Sequence, residues 1–281
     1  MIYVLFNSKS NNSRGEEDAR KWAESVNEPV EFVGLVGLDY KKFFDGLKED
    51  DEAVLCGGDG TVNYFANEMY GYEFKSKLSY VKCGSGNDFY RDAQQYEKDG
   101  RIDLKPFLKN LPLIKVNGIE RRFLNGIGYG LDGETCLVGD QIKEKDPDAK
   151  INYTNIAIKL LLGGYKLRKA TVTVDGETRT YENVWLASTM FGRYYGGGIM
   201  AAPDQDRFNE AHTCNAVALS SKGRLITFLR FPGFSGGKHK GKKWVTHTDG
   251  HHFKIEFDIP CALQIDGDVI PDVKEYEVII E

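Results

Sequence analysis

The chain has 281 residues, 41% of them hydrophobic and 28% charged, with a formal net charge of -5. That length suits one large or two medium domains, and the acidic balance argues against a general nucleic-acid binder. No apolar run reaches the roughly 18 residues a membrane-spanning helix needs, and the opening Met1–Phe6 run is too short for a signal-peptide core.

The first part alternates strand and helix. Residues 2–6 read as a strand, followed by a helix from about Glu16 to Val26. A strand at 30–33 precedes a helix around Tyr40 to Leu47. The apolar run Ala53-Val54-Leu55-Cys56 reads as a buried strand. It leads into Gly57-Gly58-Asp59-Gly60-Thr61 and then a helix beginning near Val62. A further strand, 78–82, leads into Gly84-Ser85-Gly86-Asn87-Asp88. Such crossovers predict a Rossmann-like α/β domain over residues 1–121.

From Ile114 the texture changes to hairpins. Asn117-Gly118 and Asp175-Gly176 are two-residue turn signals between alternating strands. Strands at 183–189, 214–219, 252–258 and 261–265 follow, with one clear helix expected near Ile151 to Tyr165. Residues 122–281 are therefore expected to form a mostly antiparallel β-sandwich domain. Five widely spaced cysteines (Cys56, Cys83, Cys136, Cys214, Cys261), with no Cys-x-x-Cys pair, read as reduced thiols of a cytoplasmic protein.

Two Gly-rich turns at consecutive strand ends point to chemistry. Glycine lets a ligand approach the backbone, and the unpaired amides that open a helix favour an anion. A nucleotide phosphate is the natural candidate, although such a turn can also be no more than a tight turn. Asp59, Asp88, Asp103 and Asp266 fall at strand ends or turns, where carboxylates suit a hard Mg²⁺ or a base for an alcohol proton. Gly236–Lys243 nearly spells a P-loop, but Lys243 stands where Ser or Thr is needed, so it reads as a basic loop. His247, His251 and His252 are explained by a hairpin as well as by a metal.

These motifs, taken together, resemble the catalytic domain of the diacylglycerol kinase family, which includes sphingosine, ceramide and bacterial soluble lipid kinases. The resemblance is carried by Asn7-Ser8-Lys9-Ser10, the GGDGT and GSGND turns, and Gly100–Leu104. It continues through Phe123–Asp132, Gly196-Gly197-Gly198 with Ala202-Pro203, and Gln264–Asp268. It implies an ATP-dependent kinase, using Mg²⁺, that phosphorylates the hydroxyl of a diacylglycerol- or sphingoid-type lipid. It also implies nucleotide contacts at Asn7, Gly57, Gly58, Gly60, Thr61, Gly84, Ser85 and Asn87. Asp266 is the implied base, with Asp59 and Asp268 beside it in catalysis and Asp88 and Asp103 in a Mg²⁺ network.

The sequence departs from the family pattern in places. Asn209 stands where an acidic metal ligand is expected and Glu210 where glycine is. Phe191 replaces a common asparagine, Tyr64 a glutamate, and Asp268 the usual glutamate. A soluble kinase of another alcohol, such as NAD kinase, and a catalytically weak lipid- or nucleotide-binding homologue stay open as readings. The expected partners are a small-molecule alcohol, transient contact with the inner membrane surface and no nucleic acid; a homodimer is compatible. Lys238, Lys240, Lys242 and Lys243, with Ile156, Ile158, Leu160, Leu161 and Leu162, are the candidate membrane-facing groups; a plain solvated loop for the lysines, and an acyl pocket or the domain core for the apolar residues, stay open as readings.

Overall fold

The computed structural model describes residues 1–10, 14–83 and 87–281, which form two compact units, Met1–Leu111 and Pro112–Glu281. In the first unit, β1 (Ile2–Phe6), β2 (Val30–Gly34), β3 (Glu52–Gly57) and β4 (Lys77–Lys82) run parallel. A two-residue strand, β5 (Ile102–Asp103), closes one edge antiparallel to β4, so the order is β2-β1-β3-β4-β5. Strand β3 is buried from Ala53 to Gly57, as expected for a parallel strand covered on both faces.

The crossovers are α1 (Gly15–Ala23), α2 (Tyr40–Asp45) and α3 (Asp59–Glu68), and α4 (Asp88–Ala93) follows β4. Helix α1 stops at Ala23, three residues before the expected end. Helix α3 buries Val62, Phe65 and Ala66. Phe65 packs in an aromatic cluster with Tyr40, Phe44 and Phe74. The strand order reverses at β1, whose neighbours are β2 and β3. In open α/β sheets the crevice outside the carboxyl ends of such strands is where ligands bind. Here that crevice is edged by Asn7 after β1 and by Gly57–Thr61 after β3.

The second unit is built on one antiparallel sheet of nine strands. Strands β6 (Leu113–Val116) and β7 (Ile119–Arg122) form the Asn-Gly hairpin, and Asn117 and Gly118 both have positive φ. Strand β6 pairs with β16 (Asp268–Ile279), which ties this hairpin to the second unit rather than to the residues before it. Asp175-Gly176 joins β9 (Arg168–Val174) to β10 (Glu177–Met190), and Asp266-Gly267 joins β15 (His252–Ile265) to β16, again with positive φ. Strand β9 pairs with β10 on one side and β15 on the other, while β8 (Gly126–Tyr129) pairs with the other ends of both. The sheet therefore folds over itself, which gives the expected β-rich sandwich. A separate two-stranded hairpin, β11 (Tyr194–Tyr195) with β12 (Ile199–Met200), precedes β13 (Cys214–Ser220), which with β14 (Val245–Gly250) completes the far edge of the large sheet.

Three helices interrupt this unit where one was expected. Helix α5 (Leu131–Lys145) follows β8 directly. Helix α6 (Tyr153–Lys159) runs into a π-helical turn, Leu160–Gly164. Helix α7 (Arg224–Ser235) precedes the basic loop. That loop follows a helix, not a strand, so it lacks the setting of a P-loop. The 252–258 and 261–265 segments are one bent strand, with its pairing shifted between Glu256 and Cys261. All five cysteines are free.

Candidate functional site

The GGDGT turn is shaped by its own side chains. A Cβ at Gly57 would stand 2.5 Å from the Cβ of Thr61, so glycine is needed there for packing. A Cβ at Gly60 would meet nothing within 4 Å, so that glycine opens onto space. Gly58 caps α3 in extended backbone, φ -98° and ψ -171°. Its carbonyl accepts the amides of Thr61 and Val62. The Asp59 carboxylate reaches across to the next turn, where Oδ2 accepts the amide of Asp88 at 2.9 Å and Oδ1 that of Phe89 at 2.8 Å. One side chain thus laces the helix starts after β3 and β4 together.

Asn7 closes the turn after β1. Its Oδ1 accepts the Lys9 amide, and its carbonyl accepts both the Ser10 amide and hydroxyl. Gly15, which sequence reasoning passed over, packs on the Asn7 carbonyl, with room for no side chain. Asn87 is buried at the N-cap of α4. Gly84 and Ser85 lie outside the described residues.

The proposed Mg²⁺ carboxylates are not gathered. Asp88 is buried, with Arg91 Nε 3.9 Å away. Asp103 is exposed and its Oδ1 accepts the Lys105 amide. It pairs with Ser79, three residues before β4 ends, which sets it about 10 Å back along the strand from the turn. Among the described residues no three His, Cys, Asp or Glu side chains are grouped to hold a metal ion.

The second unit holds the Asp266 turn. The carboxylate accepts three backbone amides: Leu124 to Oδ2 at 2.5 Å, and Asn125 and Gly126 to Oδ1 at 2.8 and 3.0 Å. Asp266 therefore fastens the β15–β16 turn to the chain entering β8. Arg207, also buried, donates to the carbonyl of Leu124 and to Asn125 Oδ1 on the same segment. Asp268 is exposed and pairs with Arg121 at 2.8 Å.

Asp132, to which the sequence reading gave no role, is an acid of this unit that burial perturbs, as it does Asp140 on the same helix. It sits in the first turn of α5, just after Gly130 (φ +110°). Burial pushes its carboxyl up to about 6, with a hydrogen bond from Gln264 pulling the other way. Gln264 Nε2 donates to Asp132 Oδ2 at 2.9 Å, and its Oε1 accepts the Gly267 amide at 2.7 Å. A Cβ at Gly128 would lie 1.8 Å from Asp132 Oδ2, and one at Gly196 would lie 3.1 Å from Oδ1. Two glycines and a glutamine thus cradle one carboxylate beside the Asp266 turn. The glycine triplet and the Asp-Gly pair were legible signals; their convergence on Asp132 was not.

Two family descriptions match the chain: "Diacylglycerol kinase catalytic domain" over residues 1–110 and "YegS C-terminal NAD kinase beta sandwich-like domain" over residues 126–278. The chain belongs to the diacylglycerol kinase catalytic-domain family. A Staphylococcus epidermidis protein named "Putative lipid kinase" is 24% identical over 231 residues, covering 78% of this chain and 70% of its own. A Mycobacterium tuberculosis protein named "Diacylglycerol kinase" is 23% identical over 261 residues, covering 86% and 82%. The crystal structure of a "putative diacylglycerol kinase" of Bacillus anthracis shares the fold, with a TM-score of 0.67 at 19% identity, over 100% of this chain and 92% of the other.

Within the family pattern, the loop after Ala202-Pro203 is closed by an amide. Asn209 Nδ2 donates to the carbonyls of Asp206 and Thr213 at 2.7 and 3.1 Å, and its Oδ1 accepts the Thr213 amide at 3.0 Å. A donor NH₂ aimed at two carbonyls occupies the position where a cation would draw them, so this loop does not fit a structural metal. Tyr64 is exposed beside Tyr40, and Phe191 is buried under Arg207. His247 stacks on the buried His239, and the His251 ring bonds to the Ala211 carbonyl, which accounts for both without a metal.

Proposed function

We propose that the protein transfers the γ-phosphoryl group of ATP to the hydroxyl of a lipid alcohol of diacylglycerol or sphingoid type. The observation that carries this reading is the lacing of two Gly-rich helix starts by Asp59 beside the strand-order reversal, where open α/β sheets bind ligands. In a phosphoryl transfer the protein mainly positions groups and stabilises charge. Asn7, Gly57, Gly58, Gly60, Thr61, Gly84, Ser85 and Asn87 are assigned to the phosphates. Asp59 holds the turns in register.

The acceptor is assigned to the second unit. Asp266 is the assigned base, with Asp268 beside it. Asp132, in its cradle of Gly128 and Gly196, is assigned to hold an acceptor hydroxyl or amine. Mg²⁺, when bound with ATP, neutralises phosphate charge. Asp88 and Asp103 are carboxylates of the right kind, but Asp103 lies back along β4 from the turn that Asp88 follows.

The test combines ligand-induced stabilisation with turnover. ATP with Mg²⁺ at a hundred times its Kd should stabilise the fold by about 2.7 kcal/mol. Gly60→Val should remove that shift without lowering the unliganded Tm much, since its side chain meets open space. Labelled ATP offered to diacylglycerol, sphingosine, ceramide, NAD and sugar alcohols should label a lipid. Transfer to NAD or a sugar alone, or to nothing, refutes the reading.

A further inference from the structure

Helix α7 presents an apolar face outward. Its sequence, RLITFLRFPGFS, has no acidic residue. The inner stripe is ordinary: Thr227 and Phe234 are buried, and Phe228 and Phe231 pack on a core that contains Trp185, Leu219 and Val245. The outer stripe carries Leu225, Ile226 and Leu229 at 66%, 50% and 69% exposure. Solvent-facing helix positions normally hold charged or polar groups. The two arginines of α7 do not cover this face. Arg224 donates to the carbonyls of Leu161 and Tyr165 at 3.0 and 2.6 Å and lies over the Trp185 ring. Arg230 lies over Trp244.

The Arg224 bonds fasten α7 to the π-helical turn, which adds Leu162 at 50% exposure. Within that turn and the preceding helix, Ile156 and Leu161 are buried, so only part of the expected apolar run faces out.

Charge is segregated along the sequence of these elements. Between Glu210 and Asp249 the chain has no acid but holds Lys222, Arg224, Arg230, Lys238, Lys240, Lys242 and Lys243. Between Asp148 and Asp175 it again has none, but holds Lys150, Lys159, Lys166, Arg168 and Lys169. These two acid-free segments build the apolar face of a chain whose net charge is -5. Lys222 before α7 and Lys238, Lys242 and Lys243 after it are exposed; Arg168, Lys169 and Lys240 pair with Glu134, Glu182 and Asp204, and Lys242 and Lys243 line a pocket that also holds Asp204, Asp206, Glu210 and Asp249. Exposed leucines with exposed lysines before and after them along the chain suit an anionic bilayer, where leucines sit at the headgroup–acyl boundary and lysines meet lipid phosphates. A protein partner would have to supply both an apolar groove and an acidic rim.

We infer that Leu162, Leu225, Ile226 and Leu229, with Lys222, Lys238, Lys242 and Lys243, form a docking face for an anionic lipid bilayer. The face deepens the proposed function by naming the surface on which a lipid acceptor is met; it rests on that reading only for the acceptor. The probe is phosphatidylcholine vesicles with and without added phosphatidylglycerol, sedimented with the full chain in the absence of nucleotide. Wild type should bind the anionic vesicles. Leu225→Glu combined with Leu229→Glu should weaken binding by about thirtyfold or more, since it removes two partly exposed leucines. Its Tm should be unchanged. Lys242→Gln and Lys243→Gln should each weaken binding to anionic vesicles by about fivefold and leave binding to neutral ones unaltered.

The inference is overturned if wild type ignores anionic vesicles, or if the double leucine variant binds them like wild type. It is also overturned if the double variant only dissociates a dimer, which makes the face a contact with a second copy. The ATP-induced Tm shift and turnover on a short-chain acceptor in free solution, both measured on the double variant, report on the kinase reading independently. Loss of vesicle binding with both retained is a docking effect alone.

Discussion

Replacing Asp132 by Asn separates the burden of a buried charge from its use. The two side chains have the same shape, and Asn can still accept the Gln264 Nε2 hydrogen that now goes to Oδ2. Burial raises the carboxyl from 3.8 to about 6. About two units at 1.36 kcal/mol each make roughly 3 kcal/mol of destabilisation when the group is charged in the fold. The sign follows from proton binding. Between these values the folded chain holds a proton that the unfolded chain has lost, so this group's contribution to stability falls as pH rises toward and through 6. Below about pH 4 both states are protonated and the penalty vanishes. Asp132→Asn should therefore raise stability by up to about 3 kcal/mol at pH 8 and by little at pH 4. The assay is urea unfolding at both pH values, read through Trp185 and Trp244, which report on the second unit. An equal effect at both pH values, or a loss of stability at pH 8, refutes the reasoning. Turnover should move the opposite way, because a charge kept at a cost to the fold is expected where function uses it.

Two glycines give sharper tests of the sites. Gly57→Ala should destabilise the first unit by about 1–3 kcal/mol, because its Cβ would lie 2.5 Å from that of Thr61; an unchanged Tm would show that the turn relaxes freely. Gly128→Ala should displace the Asp132 carboxylate, which its Cβ would meet at 1.8 Å, and raise the acceptor KM while the ATP-induced Tm shift stays as in wild type. A KM like that of wild type would take Asp132 out of the acceptor site.

Local chemistry made much of the fold legible. Asn117-Gly118, Asp175-Gly176 and Asp266-Gly267 each supply two residues that tolerate positive φ, and each one turns a hairpin. The apolar run before Gly57 could only be a buried strand. Helix α7 was illegible because Pro232 and Gly233 read as breakers, yet its inner phenylalanines are held by the core. Helix α5 was illegible because Asp132-Gly133 reads as a turn. Gly133 is instead required, since its Cβ would lie 2.1 Å from the carbonyl of Ala262. The roles of Asp59 and Asp266 depend on partners about 30 and 140 residues away, and no local pattern announces them.

The same long-range bonds change what Asp266→Asn measures. An amide keeps the shape of the carboxylate but not its acceptors. One end can still receive the Asn125 and Gly126 amides, while the NH₂ end then faces the Leu124 N–H, or the reverse if the amide turns over. A donor left facing a donor costs about 1–3 kcal/mol. The variant should therefore lose Tm as well as rate. A typical domain has 5–15 kcal/mol of stability, so the protein stays folded, and a rate loss of about 10²–10⁴ cannot come from the unfolded fraction. Distortion of the turn can still lower the rate, and pH dependence separates the two causes. If Asp266 takes the alcohol proton, the fall of kcat/KM toward acid in wild type should be absent from Asp266→Asn, leaving a low and flatter profile. If Asp266 only fastens the turn, the variant should show the wild-type acid limb at a reduced height. An acid limb that persists in Asp266→Asn and disappears in Asp132→Asn would move the proton-accepting role to Asp132, which burial has raised to about 6.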